Sequence, residues 1–441
     1  MTVSTANIVV NTTGGSDIIA FGTAIFSNIA AAKFTATSIT VTGANGDQFI
    51  LKGSFTYTGT PDLSTFTGGT TIGAKLIDNP GAHDYATLSG VSINAAAAVD
   101  ALLHHTVDDF LALLGPISFH GNSGDDIGLG AGLDDTIQGG AGADTMSGGG
   151  GNDTLSYSDS SFSDAALGKV NVNLATGAAS GGDAAGDIFS GFENLTGSDY
   201  NDKLTGSAGA NIINGRLGND ILIGGAGADT LIGGGGTDTA DYSGSNAAVQ
   251  VDLSSGLAAT GGHAQGDILT LIENQTGSSF GDTLTGNSQV NTLVGGGGND
   301  TLDGGLNNDR LDGGSGNDRL IGGQGIDTEY GRGGADTFVL SNAALGADKI
   351  MDYTVGSDKL EINAALFHCG LVAGVDLTDM QVEVNTNGEA HSASTRFILD
   401  TTTGELFCDV NGSVDGTTGS RLIATLHGTL AGFSHSDFDI V

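Results

Sequence analysis

The sequence predicts a mainly all-β protein built around a parallel β-solenoid, with a smaller module on each side. Three observations predict this fold class. Aspartate recurs at every ninth residue through "GGGGNDTLDGGLNNDRLDGGSGNDRLIGGQGID", residues 295–327, and glycine pairs recur at the same interval. A large aliphatic residue stands two places after most of these aspartates. The 441 residues include 77 glycines and only 3 prolines, yet 38% are hydrophobic, which favours a packed core over a flexible linker.

Residues 1–119 are predicted to form an N-terminal β-rich module with one helix. "SITVTG" and "QFILKGSFTYTG" are rich in β-branched and aromatic residues, so we expect strands there. "NAAAAVDALLHHTVDDFLALLG" places apolar residues three and four apart, which predicts a helix near residues 94–114.

The nonapeptide pattern divides the middle of the chain into two blocks. The first block, residues 120–241, contains an irregular insert at 157–196. The next segment, residues 242–340, consists of a second insert and the second block. "GDIFSGFENLTGS" in the first insert returns eighty residues later as "GDILTLIENQTGS", so the middle of the chain is a tandem array. Each insert would form either an irregular turn of the solenoid or a small lobe on it.

Residues 341–441 depart from the repeat. "ADKIMDYTVGSDKLEIN" and "STRFILDTTTGELFCDVNG" alternate apolar and polar residues, which predicts a C-terminal antiparallel β module. Cys369 and Cys408 lie in this module, and the sequence is compatible with either a disulfide or two small buried side chains.

Each nonapeptide has the form G-G-x-G-x-D-x-U-x, where U is a large aliphatic residue. The first six residues form a turn, because glycine permits positive φ and close backbone approach. The last three form a short strand whose middle side chain points into the solenoid. Two nonapeptides complete a turn of eighteen residues, so stacked turns should bury a ladder of aliphatic side chains that includes Leu222, Leu231, Leu302, Leu311 and Leu320.

The same stacking aligns carboxylates. We expect one row of Asp282, Asp300, Asp318 and Asp336, and a second row of Asn291, Asp309 and Asp327. Like charges one strand spacing apart, about 5 Å, repel each other unless a cation lies between them. Carboxylate and carbonyl oxygens without histidine or thiol suit Ca²⁺ better than Mg²⁺ or Zn²⁺.

The predicted metal ligands are the sixth residues of the nonapeptides: Asp126, Asp135, Asp144, Asp153, Asp202, Asn211, Asp220, Asp229, Asp238, Asp282, Asn291, Asp300, Asp309, Asp318, Asp327 and Asp336. Pairs eighteen residues apart predict several Ca²⁺ ions, up to about ten. Sites that use Asn211 or Asn291 keep an oxygen but lose a charge, so we expect them to be weaker.

The charge of the chain excludes some partners. It carries 51 Asp and Glu against 13 Lys and Arg, a formal net charge of −38. Such a chain repels nucleic acid and anionic membrane surfaces, and it repels itself unless cations neutralise it. No segment is long and apolar enough to predict a transmembrane span, and no basic region precedes an apolar stretch at the N-terminus as in a signal peptide.

The nonapeptides resemble those of the RTX (repeats-in-toxin) proteins. The resemblance implies a parallel β-roll loaded with Ca²⁺, export in an unfolded state and folding outside the cell. "DKIMDYTVGSDKLEINAALF" and "TGELFCDVNGSVDG" resemble the module that follows the roll in serralysin-like RTX proteins, with Cys408 and Asn411 departing from its L-x-Y-D-x-D-G pattern. The last residues, "SHSDFDIV", resemble the C-terminal signal that type I secretion machinery reads, and they would otherwise be a final edge strand.

These features predict a secreted protein, extracellular or on the cell surface of a Gram-negative bacterium, that folds on binding Ca²⁺. We expect a non-enzymatic surface, adhesion or matrix protein whose N-terminal module binds a cell-surface or polysaccharide partner. The alternatives are an RTX-type exoenzyme (a hydrolase) with its active site in that module, or a small pore-forming toxin. The module contains neither H-E-x-x-H nor G-x-S-x-G, and one helix is little for a pore.

Overall fold

A computed structural model describes residues 116–441 except 117, 122, 131, 161–167, 341–346, 368–370 and 410–419, together with the backbone of five strands before residue 92. The chain divides into two compact units. The first contains Met1–Ser207 and Asn211–Gly218, and the second contains Ala208–Ala210 and Asn219–Val441.

The N-terminal module contains a five-stranded sheet. Its strands, in spatial and chain order, are β1 (Ser4–Asn11), β2 (Phe34–Thr42), β3 (Gln48–Tyr57), β4 (Ile72–Ile77) and β5 (Asp84–Val91). Strands β1 and β2 are parallel, and the other neighbours are antiparallel. The two strands predicted in this module are β2 and β3. The helix predicted near residues 94–114 lies outside the described residues.

The repeat region of the first unit forms short strands that stack in parallel. They are β6 (Ser118–His120), β7 (Ile127–Leu129), β8 (Thr136–Gln138), β9 (Thr145–Ser147), β10 (Thr154–Ser156), β11 (Asn171–Asn173), β12 (Ala178–Ser180), β13 (Ile188–Ser190), β14 (Asn194–Thr196), β15 (Lys203–Thr205) and β16 (Ile212–Leu217). Strands β6, β8, β10, β14 and β16 follow one another in one parallel sheet, and β7, β9 and β13 form another. A third sheet begins with the edge strand β12, which pairs antiparallel with β11, and β11 pairs in parallel with β15.

The second unit has the same architecture over a longer stretch of chain. Its strands are β17 (Ile221–Ile223), β18 (Thr230–Gly235), β19 (Thr239–Asp241), β20 (Gln250–Asp252), β21 (Ile268–Thr270), β22 (Asn274–Thr276), β23 (Thr283–Thr285), β24 (Thr292–Gly297), β25 (Thr301–Asp303), β26 (Arg310–Ser315), β27 (Arg319–Ile321), β28 (Thr328–Gly333), β29 (Thr337–Leu340), β30 (Asp348–Thr354), β31 (Lys359–Ile362), β32 (Val382–Asn385), β33 (Phe397–Asp400), β34 (Glu405–Asp409), β35 (Ser420–Thr429) and β36 (Phe438–Ile440). The described helices are short, with one α-helix, α1 (Ala364–Phe367), and 3₁₀ turns at Gly182–Ala184, Gly262–Ala264, Asp379–Gln381 and His435–Asp437. None of the helices in the described part of the chain could cross a membrane.

Two sheets of the second unit enclose its core. One runs in the order β17-β19-β22-β24-β26-β28-β30-β35-β34-β33-β32, and the other runs β20-β23-β25-β27-β29-β31-β36. Parallel neighbours are offset by eighteen residues, so Leu293 lies beside Leu311 and Leu302 lies beside Leu320. The middle side chain of each strand points inward, and these leucines have no exposed surface. The predicted aliphatic ladder is therefore confirmed, and each buried leucine stabilises the fold by about 1.5–3 kcal/mol.

Both inserts are turns of the solenoid rather than separate lobes, because their strands join its sheets. In the first unit β13 pairs with β9, β14 pairs with β10, and β11 pairs with β15. In the second unit β21 pairs with β18, β22 pairs with β19, and β20 pairs with β23. The eighty-residue sequence repeat is therefore also a repeat of strand connectivity.

The C-terminal module differs in part from the expected antiparallel pairing. Strand β30 pairs in parallel with β28, and β31 pairs in parallel with β29. Lys349 lies beside Thr328 and Lys359 lies beside Thr337, so the chain between paired residues is only slightly longer than one turn of the solenoid. The antiparallel pairs are β33 with β34 and β34 with β35, whereas β32 and β33 are parallel. Cys408 is buried and disulfide-bonded, and Cys369, the other cysteine of the chain, lies outside the described residues.

We expect truncation of the leucine ladder to weaken the loaded solenoid. Leu302→Ala should cost about 2–5 kcal/mol of unfolding free energy, since the close-packed sheets cannot fill the cavity. Leu306→Ala is the control, because the Leu306 side chain is 43% exposed. Urea denaturation in the presence of Ca²⁺, followed by circular dichroism, measures both. Equal losses for the two variants would contradict this account of the core.

Candidate metal centre

The repeat aspartates of the second block are linked by hydrogen bonds between successive turns. In each link, called a rung below, the backbone N–H of one aspartate donates to the side-chain carboxylate of the aspartate in the next turn. Each aspartate directly precedes a strand, as Asp300 precedes β25 and Asp318 precedes β27. The backbone N–H of Asp300 donates to Asp318 Oδ1 at 2.9 Å, and that of Asp282 donates to Asp300 Oδ1 at 2.7 Å. Asp318 N–H donates in turn to Asp336 at 2.9 Å. The structure thus places these four aspartates in the predicted row.

The second predicted row has the same geometry. Asn291 N–H donates to Asp309 Oδ1 at 2.8 Å, and Asp309 N–H donates to Asp327 Oδ1 at 2.7 Å. In every such rung one carboxylate oxygen is held by the amide of the preceding turn. All members of both rows are buried.

The other carboxylate oxygen remains without a hydrogen bond in much of the array. Buried Oδ2 atoms without a donor belong to Asp144, Asp153, Asp238, Asp300, Asp309, Asp318 and Asp327. A buried polar atom that lacks a partner costs about 1–3 kcal/mol, and a charged one costs more. Within each unit these oxygens provide hard-oxygen ligands that a cation would satisfy.

Glycine is required where the aspartate side chain folds back over the turn. A Cβ on Gly313 would lie 2.4 Å from Asp318 Oδ2, and a Cβ on Gly295 would lie 2.3 Å from Asp300 Oδ2. Gly316 adopts φ +130°, and a Cβ there would lie 1.6 Å from the carbonyl oxygen of Gly298. The turns therefore bring backbone carbonyls and carboxylates together only because side chains are absent.

Carboxylates alone do not enclose an ion. Within the part of the chain that the structure describes, no three or more His, Cys, Asp or Glu side chains converge as a metal site. Any cation must therefore take oxygens from the backbone of the turns as well as from the rungs. Ca²⁺ accepts six to eight oxygens in irregular geometry, so this mixed donor set fits it.

Four further predicted ligands begin rows within their units. Asp126 N–H donates to Asp144, Asp135 N–H to Asp153, Asp220 N–H to Asp238 and Asp229 N–H to Asp267. The four side chains are also buried. Their position in the array matches that of the other repeat aspartates, and their metal role stays a prediction.

Two predicted ligands are satisfied by the protein itself. Both oxygens of Asp202 accept hydrogen bonds from Ser198, and Val170 N–H also donates to Oδ1 at 2.7 Å. Asp282 has the same arrangement with Ser278 and Val249. These aspartates follow the inserts, where a serine stands in the turn instead of glycine. Their need for a cation is correspondingly smaller.

The two asparagines are also held by the protein. Asn291 Nδ2 donates to the carbonyl of Glu273 at 2.6 Å, and Asn211 Nδ2 donates to the carbonyl of Glu193 at 2.5 Å. A carbonyl that accepts an amide hydrogen bond has less capacity for a cation. This adds a structural reason to expect weak sites there, beyond the lost charge.

Several rung carboxylates do not follow the nonapeptide spacing and were missed by the sequence analysis. These acceptors are Asp187, Glu193, Asp267, Glu273, Asp348 and Asp358. Their carboxylates accept, at 2.8–3.0 Å, from the backbone N–H groups of Asp144, Asp153, Asp229, Asp238, Asp327 and Asp336, in that order. The eighty-residue repeat contained a signal for four of them, because it aligns Asp187 with Asp267 and Glu193 with Glu273.

Tyrosine satisfies the insert rungs. Tyr157 donates its hydroxyl to Asp187 Oδ2 at 2.9 Å, and Tyr242 donates to Asp267 Oδ2 at 3.0 Å. Both tyrosines are buried, and burial together with the adjacent carboxylate raises the pKa of each well above its usual value. The phenol thus remains a hydrogen-bond donor. It donates to the second carboxylate oxygen, Oδ2, whose equivalent is unpaired in many of the nonapeptide rungs.

One string in the solenoid matches the hydrolase pattern G-x-S-x-G. It is "GSSFG", residues 277–281, with the exposed Ser279 at its centre. A nucleophile elbow joins a strand to a helix. Here the segment joins β22 to β23, so the context of that motif is not met.

Comparison with known proteins identifies the repeats. A family model described as RTX calcium-binding nonapeptide repeat (4 copies) matches residues 120–155, 187–222, 215–246, 276–311, 295–329 and 312–342. Among solved structures, the extracellular lipase LipA from Serratia marcescens matches with 19% identity and a TM-score of 0.19, over 56% of this chain and 40% of the lipase chain. The chain therefore spans less than half the length of that lipase. No curated protein sequence matches significantly.

We expect Asp318→Asn to weaken calcium binding by the second block. The amide keeps the shape and the oxygen that accepts from Asp300, but the charge facing the ion is lost, a contact worth about 1.5–3 kcal/mol. The midpoint of a Ca²⁺ titration should rise by tenfold or more. Asp282→Asn is the matched control, because Ser278 already donates to both oxygens of Asp282. A larger shift for the control would contradict the assignment.

We also expect opposite pH responses with and without Ca²⁺. Burial, aided by neighbouring carboxylates, raises the pKa of Asp144, Asp300 and Asp309 from 3.8 to about 7. A raised folded pKa stabilises the metal-free fold fully below pH 3.8, and this contribution is lost as the pH rises through about 7. Metal-free protein should therefore be more stable at pH 5 than at pH 8.

The Ca²⁺-loaded protein should show the reverse, because the ligands must lose their protons before the ion binds. Urea denaturation at the two pH values, with chelator or with Ca²⁺, measures both responses. If the unfolding free energy of the metal-free protein did not change between pH 5 and pH 8, burial would not raise the pKa of these carboxyl groups.

Proposed function

We propose that this chain, whose central region consists of RTX calcium-binding nonapeptide repeats, is a secreted protein that completes its folding by binding extracellular Ca²⁺. The observation that carries the proposal is the set of seven buried carboxylate oxygens that have no hydrogen-bond donor. In the absence of a cation these groups repel one another and lose hydration. A divalent cation reverses the local electrostatics and stabilises the same geometry.

The ligands with the best support are the aspartates that carry these unpaired oxygens, completed by carbonyls of the glycine turns. Bound Ca²⁺ would supply positive charge between turns. Because binding requires the folded array, its free energy adds directly to the stability of the fold. Extracellular calcium modules commonly have affinities of about 10⁻⁴–10⁻³ M, so sites of this class are empty in the cytoplasm and filled outside the cell.

Type I export fits the position of the C-terminal residues. RTX proteins use this route, and residues 434–441 resemble its signal. In the folded protein β36 pairs with β31, and the Phe438 and Ile440 side chains are buried. A secretion apparatus could bind this segment freely only before the sheet forms. Export of a chain that is still unfolded for lack of Ca²⁺ is consistent with this arrangement.

We propose a non-enzymatic role at the cell surface, in adhesion or in the matrix, with residues 1–119 as the module that binds a surface or polysaccharide partner. The absence of zinc-protease and nucleophile-elbow motifs from that module supports this role. The second candidate is an RTX-type exoenzyme. Hydrolysis of ester, peptide or glycosidic test substrates by the Ca²⁺-loaded chain would favour the enzyme, and retention on a glycan surface would favour the binding module.

The folding response to Ca²⁺ is the primary test. Chelator-treated protein titrated with Ca²⁺ should show a cooperative gain of β-sheet circular dichroism near millimolar concentration. Mg²⁺ should not replace it, because it prefers six ligands in strict octahedral geometry and gives up its water reluctantly. A metal-free protein with full β signal and no response to Ca²⁺ would contradict the proposed function.

A further inference from the structure

Glu329 occupies a position that is hydrophobic in most of the other nonapeptides. It is the eighth residue of the nonapeptide "GGQGIDTEY", and in the sheet it lies between Leu311 and Ile350. The Glu329 side chain is 0% exposed. A carboxylate in the apolar interior is unfavourable unless it is protonated or paired with a cation.

Neither oxygen of the Glu329 carboxylate has a hydrogen-bond partner. The backbone amide of Gly322 faces the group, but it does not meet hydrogen-bond geometry. The site therefore penalises an ionised Glu329 as long as no cation is present.

Glu329 reaches from the core to the rung carboxylate of its own turn. A Cβ built on Gly322 would lie 2.8 Å from Glu329 Oε1 and 2.5 Å from Asp327 Oδ2. The two oxygens thus lie against the same glycine, and Asp327 Oδ2 is also buried and unpaired. On the other side, Asp327 N–H donates to Asp348 Oδ1 at 3.0 Å. The Asp348 and Asp327 side chains are also close enough to hydrogen-bond when one of them is protonated.

Gln275 shows how the solenoid accommodates a polar residue that has no such role. It occupies the equivalent position between Ala240 and Leu293, and it is also 0% exposed. Its Nε2 donates to the carbonyl of Thr285 at 2.8 Å. Gln275 is therefore neutral and anchored to the backbone through Nε2, with its Oε1 unpaired, whereas Glu329 carries an ionisable group and neither of its oxygens has a donor.

We propose that Glu329 is a calcium ligand supplied from the core, which joins Asp327 in holding one hard divalent cation between the turns. This inference rests on the proposed function, because it assigns an additional ligand to the same array. The other turns offer a cation one carboxylate per repeat, whereas this turn offers two. Since affinity rises with the number of charged ligands, the site at Asp327 and Glu329 is the tightest in the solenoid.

The test compares Glu329→Leu with wild type in the full-length chain, by equilibrium dialysis against Ca²⁺ with metal analysis and by calorimetric titration. Leucine restores the residue found in the neighbouring repeats, so the fold is expected to tolerate it. We expect loss of the tightest binding class, with the affinity of that one ion reduced at least tenfold. Gln275→Leu is the matched control, and it should leave every Ca²⁺ affinity unchanged.

Glu329→Gln provides a second variant if the leucine variant does not fold, since it keeps the shape and removes only the charge. It should show the same selective loss. Unchanged Ca²⁺ stoichiometry and affinity in either folded variant would overturn the proposal and identify Glu329 as a protonated core residue. Failure of the proposed function looks different, because the wild-type chain itself would then bind no Ca²⁺.

Infrared difference spectra supply a readout that does not depend on affinity. The difference between metal-free wild type and metal-free Glu329→Gln should contain the carbonyl stretch of one protonated carboxylic acid, and this band should be absent from the same difference recorded with Ca²⁺. A band from Glu329 that persists in the Ca²⁺-loaded wild type would also overturn the proposal.

Discussion

The structure depends on one repeated interaction, the hydrogen bond from the backbone N–H of a rung residue to the carboxylate of the next turn. This bond sets the offset of eighteen residues and fixes one oxygen of every rung. It also places the second oxygens one above another in a buried row. The contact that aligns the turns is therefore the same one that concentrates negative charge, and the apolar ladder alone does not remove that charge.

Proteins usually bury a carboxylate only when donors satisfy both oxygens. This chain follows that rule at a few rungs and departs from it at the others. Ser198 and Ser278 satisfy the rungs that follow the inserts, and Tyr157 and Tyr242 satisfy the rungs within them. In the regular nonapeptides one carboxylate oxygen remains unpaired in each of seven aspartates, namely Asp144, Asp153, Asp238, Asp300, Asp309, Asp318 and Asp327. The requirement for a cation is thus confined to the regular nonapeptides.

The regular part of this architecture could be predicted from the sequence because its physical causes are local. A period of nine with leucine two places after aspartate determines the strands, their inward side chains and the two rows around Asp300 and Asp309. The insert rungs could not be predicted in this way, since Asp187 reaches its place only after a turn of about forty residues. Their acceptor role depends on sheet pairing, and spacing does not reveal pairing over such distances. Strand β30 shows the same limit, because its alternating pattern is compatible with either a parallel or an antiparallel neighbour.

Glu329 reverses the usual relation between a core position and a metal position. In the other repeats the eighth residue contributes burial and the sixth contributes charge, and the two functions remain separate although both side chains point inward. A glutamate at the eighth position is long enough for its carboxylate to approach the aspartate at the sixth position. Gly322, which has no side chain, leaves the space that the Glu329 carboxylate needs. The turn gives up the burial energy of one leucine, about 1.5–3 kcal/mol. That loss is offset only if the carboxylate binds a partner, and the group that faces it is the unpaired oxygen of Asp327, which also lacks one. Two buried acidic groups cannot satisfy each other while both are ionised, so a shared cation is the partner that resolves both deficits.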